Sequence, residues 1–153
     1  MEITIEAVSD ATPDVVAGFS RLLPQLSTSA PALCAADIEE ISSQPGTTLF
    51  VARGTERELL GTVTLVRFRT PSGRRARIES LIVDAAARKR GVGRALCQAA
   101  LDAAAHAGVD FVDLTSAHSR EAAHALYRSL GFELRASNPY RYSDAARRTP
   151  RAV

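Results

Sequence analysis

The sequence predicts one mixed α/β domain, a central sheet with helices on both faces. Three observations lead there. Strand-like runs, alternating or rich in β-branched residues, interleave with runs of helical period along the 153 residues, and no repeat or linker divides them. The early strands are joined by short turns such as Pro45-Gly46 and Pro71-Ser72-Gly73, whereas the later ones are separated by helices. Finally, the apolar run Ile78-Glu79-Ser80-Leu81-Ile82-Val83 feeds a basic turn with two glycines, Arg88-Lys89-Arg90-Gly91-Val92-Gly93, and then an alanine-rich helix over 94–107.

Taken in order, Ile3-Thr4-Ile5-Glu6-Ala7 alternates and forms the first strand. A helix follows from Pro13 to about Leu26, with proline in the first turn and Thr12 as N-cap. Ser27-Thr28-Ser29-Ala30-Pro31 interrupts it, and Asp37 opens a short second helix through about Ser42. Strands are expected over 47–52 and 59–69; in the second, Thr62, Thr64 and Val66 share one face and Val63, Leu65 and Arg67 the other. The strand ending at Val83 comes next. Gly108 stops the long helix, where His106 suits the negative end of the dipole. Phe111-Val112-Asp113-Leu114-Thr115 is a further strand. In the helix over 121–130, Ala122, Leu126 and Leu130 recur at helical spacing and should line its buried face, with Gly131 as left-handed C-cap. Short strands over 132–135 and 140–142 close a single domain spanning 1–143. Residues 144–153, with Arg147-Arg148-Thr149-Pro150-Arg151, are expected to be a disordered basic tail.

Composition narrows the function classes. Lysine plus arginine number 19 and aspartate plus glutamate 17, so positive charge is local and a general nucleic-acid binder is not expected. Such a binder would also need a contiguous basic face with stacking aromatics, and aromatics are few here. Cys34 and Cys97 lie far apart without a partner motif, which suits a reducing cytoplasm, and Cys97 reads as a small core residue. The opening residues carry no signal pattern, and Gln98, Asp102 and His106 break the longest apolar helix, so no membrane span is expected. His118 and His124 have no cysteine or carboxylate at ligand spacing, so no metal is expected.

The basic turn is built to hold phosphate. The first N–H groups of a helix lack internal partners, and the dipole favours an anion there. Glycines at 91 and 93 remove the Cβ that would hold the backbone away from it. Two familiar phosphate motifs fail: Gly93 is followed by Arg94-Ala95 rather than Lys-Ser/Thr, and the third small residue of a dinucleotide fingerprint is replaced by Leu96. What remains is an Arg/Gln-x-x-Gly-x-Gly/Ala pattern, met by Arg88, Gly91 and Gly93.

That pattern resembles the coenzyme A pyrophosphate loop of the GNAT superfamily of N-acetyltransferases. Further on, Ala123, Leu126, Tyr127, Gly131 and Phe132 resemble the second hallmark of the same superfamily, Ala-x-x-Leu-Tyr-x-x-x-Gly-Phe. Both motifs stand in the right order, and the resemblance covers about residues 3–142. It implies a mostly antiparallel central sheet whose middle strands, here 76–83 and 110–115, splay apart. It implies acetyl-CoA as cosubstrate, held by Arg88, Lys89, Arg90, Gly91, Val92, Gly93 and Arg94. The backbone of Leu81, Ile82 and Val83 would pair with the pantetheine arm as a strand edge pairs with a peptide. The reaction implied is direct attack of an amine on the acetyl thioester.

Two side chains are implied as catalytic. Tyr127 matches the residue that protonates the departing thiolate, unless it is simply a helix aromatic with its hydroxyl at the rim. Glu79 lies where the family often places a carboxylate that accepts the amine's proton; otherwise it faces solvent or pairs with Arg77 or Arg67. A backbone N–H near Val83, or at Ile82, would serve the oxyanion. One position departs from the pattern: where many members carry an asparagine against the pantetheine, this chain has Arg120, so Arg120 would reach a phosphate and Ser119 replace the amide contact.

The leading expectation is acetylation of a small-molecule primary amine. A protein lysine or N-terminal acceptor is one alternative, and a non-catalytic acyl-CoA-binding or sensing domain another. Arg67, Arg69 and Arg77 either meet an anionic acceptor or are solvated sheet-edge charges. Homodimers are common in the family, and this chain leaves that open.

Overall fold

The computed structural model describes residues 2–144; the expected basic tail, 144–153, lies outside them except for Asp144. Five strands form one sheet in the order β1 (Thr4–Ala7), β2 (Thr47–Arg53), β3 (Leu59–Thr70), β4 (Gly73–Val83) and β5 (Phe111–Asp113). The first four pair antiparallel, because turns join them or α1 and α2 return the chain; β5 lies parallel to β4, as a helical crossover allows. Helices α1 (Pro13–Leu26) and α2 (Ala35–Ser43) cover one face, and α3 (Val92–His106) the other. The fold is the mixed, mostly antiparallel layered domain that the sequence predicts.

Each face has its own core. Val15, Phe19 and Leu22 of α1 and Ile38 of α2 pack on Leu49, Val51, Leu59 and Ile82. On the other side Val92, Leu96, Ala100 and Ala104 of α3 pack on Val63, Leu65, Ala76 and Ile78. Small alanines let α3 lie close to the sheet. Cys97 is fully buried there, and burial pushes its thiol up to about 11, so it stays protonated.

Several expectations are corrected. The second helix starts at Ala35, because Asp37 is not its first residue but its third: the Cys34 N–H donates to Asp37 Oδ2 at 2.8 Å in a capping box. Thr12 is the N-cap of α1 by position, but its hydroxyl donates to Asp14 instead of the helix. Helix α4 (Glu121–Ser129) turns a different face inward. Ala122 is exposed, while Ala123, Leu126, Tyr127 and Leu130 are half-buried, a stripe one residue further on.

Strand β5 ends at Asp113, and neither 132–135 nor 140–142 is a strand. The helix end explains part of this. Gly131, at φ +97°, turns the chain, and the Phe132 N–H closes back on Tyr127 O at 3.0 Å. Phe132 then packs on Tyr127, but all of 133–144 is exposed. A three-residue β5 offers little edge for further strands to pair with.

Candidate active site

The site begins at a bulge. Thr62 pairs with Ile82 and Thr64 with Glu79, so Val63 alone stands opposite both Ser80 and Leu81. Ser80 takes the strain, at φ +52°. The bulge shifts the strand's alternation. Ala76 and Ile78 face α3 before it; after it Ile82 faces α1, and Leu81 and Val83 turn towards α3. Without the extra residue Ile82 would point into the wrong layer.

The second feature is a wedge. β4 and β5 pair only at Arg75–Phe111, Ala76–Val112 and Arg77–Asp113. β4 runs on for residues 78–83 while the chain after Asp113 leaves the sheet. The wedge opens into a cleft of about 680 Å³ lined by Arg77, Glu79, Thr115, Ser116, Ala117, Pro139, Tyr140 and Arg141.

Glu79 is exposed on this cleft, and Arg77 Nε donates to its Oε1 at 3.0 Å. Register settles which arginine can do so. Arg77 lies opposite Val66, and Arg67 opposite Ala76, so Arg67 and Arg69 point to the other face of the sheet. The expected cluster of three arginines is therefore split.

Past Val83 the chain forms a short turn of 3-10 helix (Ala85–Ala87), capped by Asp84, whose Oδ1 accepts from the Ala86 N–H at 3.1 Å. Arg88, Lys89 and Arg90 follow, all exposed. Lys89 and Gly91 both have positive φ, +62° and +83°, and Gly91 is the N-cap of α3. The N–H groups at the start of α3 thus point out of a basic loop, as anion binding requires. Within α3 the first return bond runs from Ala95 N to Gly91 O, at 3.0 Å.

Within the fold itself the two glycines have different roles. A Cβ on Gly91 would meet nothing within 4 Å, so its positive φ is what asks for glycine. A Cβ on Gly93 would come within 3.2 Å of Leu126 Cδ2 and 3.5 Å of Val83 Cγ2. Gly93 therefore lets α4 and β4 close against α3. Val92, also in the predicted loop, has its side chain in the core. Arg94 reaches across to α4, its Nη2 donating to Ser129 Oγ at 2.6 Å.

Tyr127 sits half-buried on α4, edge-on to Phe132 with ring centroids 5.8 Å apart and an interplanar angle of 64°. Burial raises the phenol above its ordinary value; the Cys97 thiol adds to the rise and Arg120 opposes it. It is thus a protonated donor at neutral pH. Ser119 and Arg120 lie exposed just before α4, with Arg120 as its N-cap residue. His124 is occupied by Ala117 O, 2.9 Å from its Nε2. Among the described residues no group of three or more His, Cys, Asp or Glu could hold a metal ion, and no helix is long and apolar enough to cross a membrane.

Sequence reasoning missed the α1 side chains Arg21 and Gln25, which bond to the segment that starts the loop. A polar pair four apart on the rim of an amphipathic helix was the available signal. Tyr140 and Arg141 line the cleft from an irregular segment rather than from the strand expected there.

With this geometry, the comparisons agree. Residues 16–132 match the family model described as Acetyltransferase (GNAT) family. The chain belongs to that family, and it is an acyltransferase. A provisionally named acetyltransferase of Agrobacterium tumefaciens str. C58 is 26% identical over 92% of this chain and 99% of its own, with a TM-score of 0.79. The glucosamine-6-phosphate N-acetyltransferase of Arabidopsis thaliana shares 19% identity over 94% and 100% of the two chains, at a TM-score of 0.78. An aminoglycoside acetyltransferase from an uncultured soil metagenomic sample shares 19% over 93% and 97%, also at 0.78. The last two show likeness of fold. No curated protein matches the chain significantly.

Proposed function

We propose that the chain is an N-acetyltransferase that transfers the acetyl group of acetyl-CoA to the primary amine of a small molecule by direct attack. The observation that carries this reading is the wedge where β4 leaves β5, with the α3 N-terminus just beyond the end of β4. The chain's donors fit the cosubstrate's anionic half: free helix N–H groups at 92–94, a left-handed Gly91, and the basic side chains of Arg88, Lys89 and Arg90 around them.

Bound acetyl-CoA supplies an activated thioester. The backbone of Leu81, Ile82 and Val83 pairs with its amide groups along the unpaired edge, and an N–H near Val83 donates to the oxyanion. Ser119 and Arg120 meet the arm and a phosphate from the α4 side. Glu79 accepts the amine's proton while Arg77 fixes the carboxylate's orientation. Tyr127, kept protonated by burial, gives its proton to the leaving thiolate.

A small acceptor is favoured over a protein by the cleft, whose volume of about 680 Å³ lies in the range of small-molecule pockets. Two cysteines without a disulfide suit a reducing compartment, and we place the enzyme in the cytoplasm.

Calorimetric titration with acetyl-CoA tests the cosubstrate, with Arg88→Glu as the control. Arg88 is exposed, so this reversal spares the core, unlike any change at Gly93. Saturable binding, weakened in the variant, is expected, followed by mass-spectrometric detection of acetylated products from a small-amine panel. Binding without turnover, on small amines or on lysate proteins, would leave an acyl-CoA sensor. No binding would overturn the reading.

A further inference from the structure

We propose that Arg21 and Gln25 of α1 are positioning residues for the acetyl-CoA loop: they strap the start of that loop to the helix on the opposite face of the sheet. The inference rests on the cosubstrate reading above. The contacts are specific. Arg21 Nη1 forms an ion pair with Asp84 Oδ2, and its Nη2 donates to Leu59 O at 2.7 Å. One residue further on, the Ala85 N–H donates to Gln25 Oε1 at 2.8 Å. The same amide is held from its other end, Nε2 donating to Arg21 O at 3.2 Å.

Asp84 is the hinge of this arrangement. Its N–H donates to Leu60 O at 2.8 Å, the last rung of the sheet. Its carbonyl accepts from the Ala87 N–H at 2.8 Å, and its free carboxylate oxygen accepts from Ala86. Every polar group of Asp84 is therefore committed, one side to the turn 85–87 and the other to α1. That turn sets the direction in which Arg88, Lys89 and Arg90 leave the sheet, and thus where the left-handed Gly91 presents the α3 N-terminus.

The pair is also partly sheltered. The Asp84 side chain is 17% exposed and that of Arg21 46%, so the carboxylate end of the pair is sheltered from screening while the guanidinium end is open to it. Meanwhile α1 buries Val15, Phe19 and Leu22 against the sheet and cannot shift without disturbing that core. A loop bonded to such a helix is held before the cosubstrate arrives, which lowers the ordering cost of binding.

The test is a double-mutant cycle on acetyl-CoA affinity, read by calorimetry beside the thermal midpoint of each variant. Arg21→Met and Asp84→Asn should each raise Kd roughly five- to thirtyfold, the range of a charge-assisted bond. The double variant should bind no worse than the weaker single one, because both remove the same interaction. Arg21→Lys, which keeps the charge on Asp84, should recover part of the loss; a general loss of stability would not be rescued in Kd this way. Wild-type Kd in both single variants, additive losses, or equal losses in Lys and Met would each overturn the proposal. Should Arg21→Met fail to fold, Asp84→Asn and Gln25→Leu, which remove separate bonds of the strap, should each raise Kd on their own, and wild-type Kd in both would overturn the proposal. Absence of acetyl-CoA binding by the wild-type protein would instead remove the cosubstrate reading, and the strap's role with it.

Discussion

Arg77 holds Glu79 by one hydrogen bond, Nε to Oε1 at 3.0 Å, between side chains two residues apart on the same face of β4. Their side chains are 36% and 47% exposed, so the pair lies open to the cleft rather than locked away from it. Arg77 engages one Glu79 oxygen, and the proposed mechanism uses the carboxylate as the base for the amine. A surface pair of this kind adds little stability. Glu79→Gln should therefore leave the thermal midpoint within a degree or two but lower kcat/KM by about ten- to a hundredfold. Arg77→Met should cost less. Unchanged kinetics with the best amine would reduce Glu79 to a surface ion-pair partner.

Tyr127 is kept neutral by burial, with Arg120 pulling the other way. The raised value means that the proton stays on the phenol past the ordinary tyrosine range. Activity that depends on it is retained through neutral pH and lost only on the strongly alkaline side. Tyr127→Phe keeps the edge contact with Phe132 and should lower kcat by about ten- to ten-thousandfold with acetyl-CoA Kd unchanged. A parallel loss of Kd would mean that the hydroxyl binds rather than donates.

Gly93 and Gly91 should fail for different reasons. Gly93→Ala puts a methyl within 3.2 Å of Leu126 and should destabilise by about 1–3 kcal/mol, read from denaturant unfolding. Gly91→Ala meets no atom but must hold φ +83°, costing roughly 1–2 kcal/mol. The Gly93 variant should also disturb Tyr127, since α4 carries both Leu126, which the methyl would meet, and Tyr127. Identical effects on kcat from the two changes would contradict this division.

Among the described residues Arg53 is the one charged side chain that is buried. Its Nε donates to Glu6 at 2.9 Å, and its Nη1 to Asp14 and to Arg57 O, each at 2.8 Å. It ties β1, β2 and the start of α1 together. The Arg53 hydrogen bond lowers the Glu6 carboxyl below its ordinary 4.5. A lowered carboxyl adds stability that is present above the ordinary value and lost as pH falls through the lowered one. Acid unfolding should thus steepen below about pH 4.5, and Glu6→Gln should flatten that part of the curve. Arg53→Met should cost about 1–3 kcal/mol at neutral pH.

Much of the fold was legible because its signals are local. Pro13, the Pro45-Gly46 turn and the apolar period of α3 are each decided within a few residues, and each element lies where those signals put it. The loop and Tyr127 were legible as short motifs of a known family. The strands expected after Gly131 were not, because a strand exists only if another edge pairs with it, and β5 is three residues long. The face of α4 was misjudged by one residue for a similar reason. Leu126 and Leu130 have helical spacing with either Ala122 or Ala123, and only the partner surface, Gly93 and Val83, selects between them.

By itself, then, the sequence determined the class of domain, the basic, glycine-bearing helix start and the candidate acid. These depend on chain-local geometry: a helix N-terminus, a left-handed glycine, an aromatic at a fixed step from it. Tertiary structure alone decided that Arg77, not Arg67, meets Glu79, that Gly93 is a packing glycine, and that α1 straps the loop through Arg21. Those relations join residues from 2 to 63 positions apart through register, the bulge at Ser80 and contact across layers. The spacing along β4 lets Arg77 meet Glu79, but the exclusion of Arg67 and the other relations arise only when separate elements pack on the same sheet.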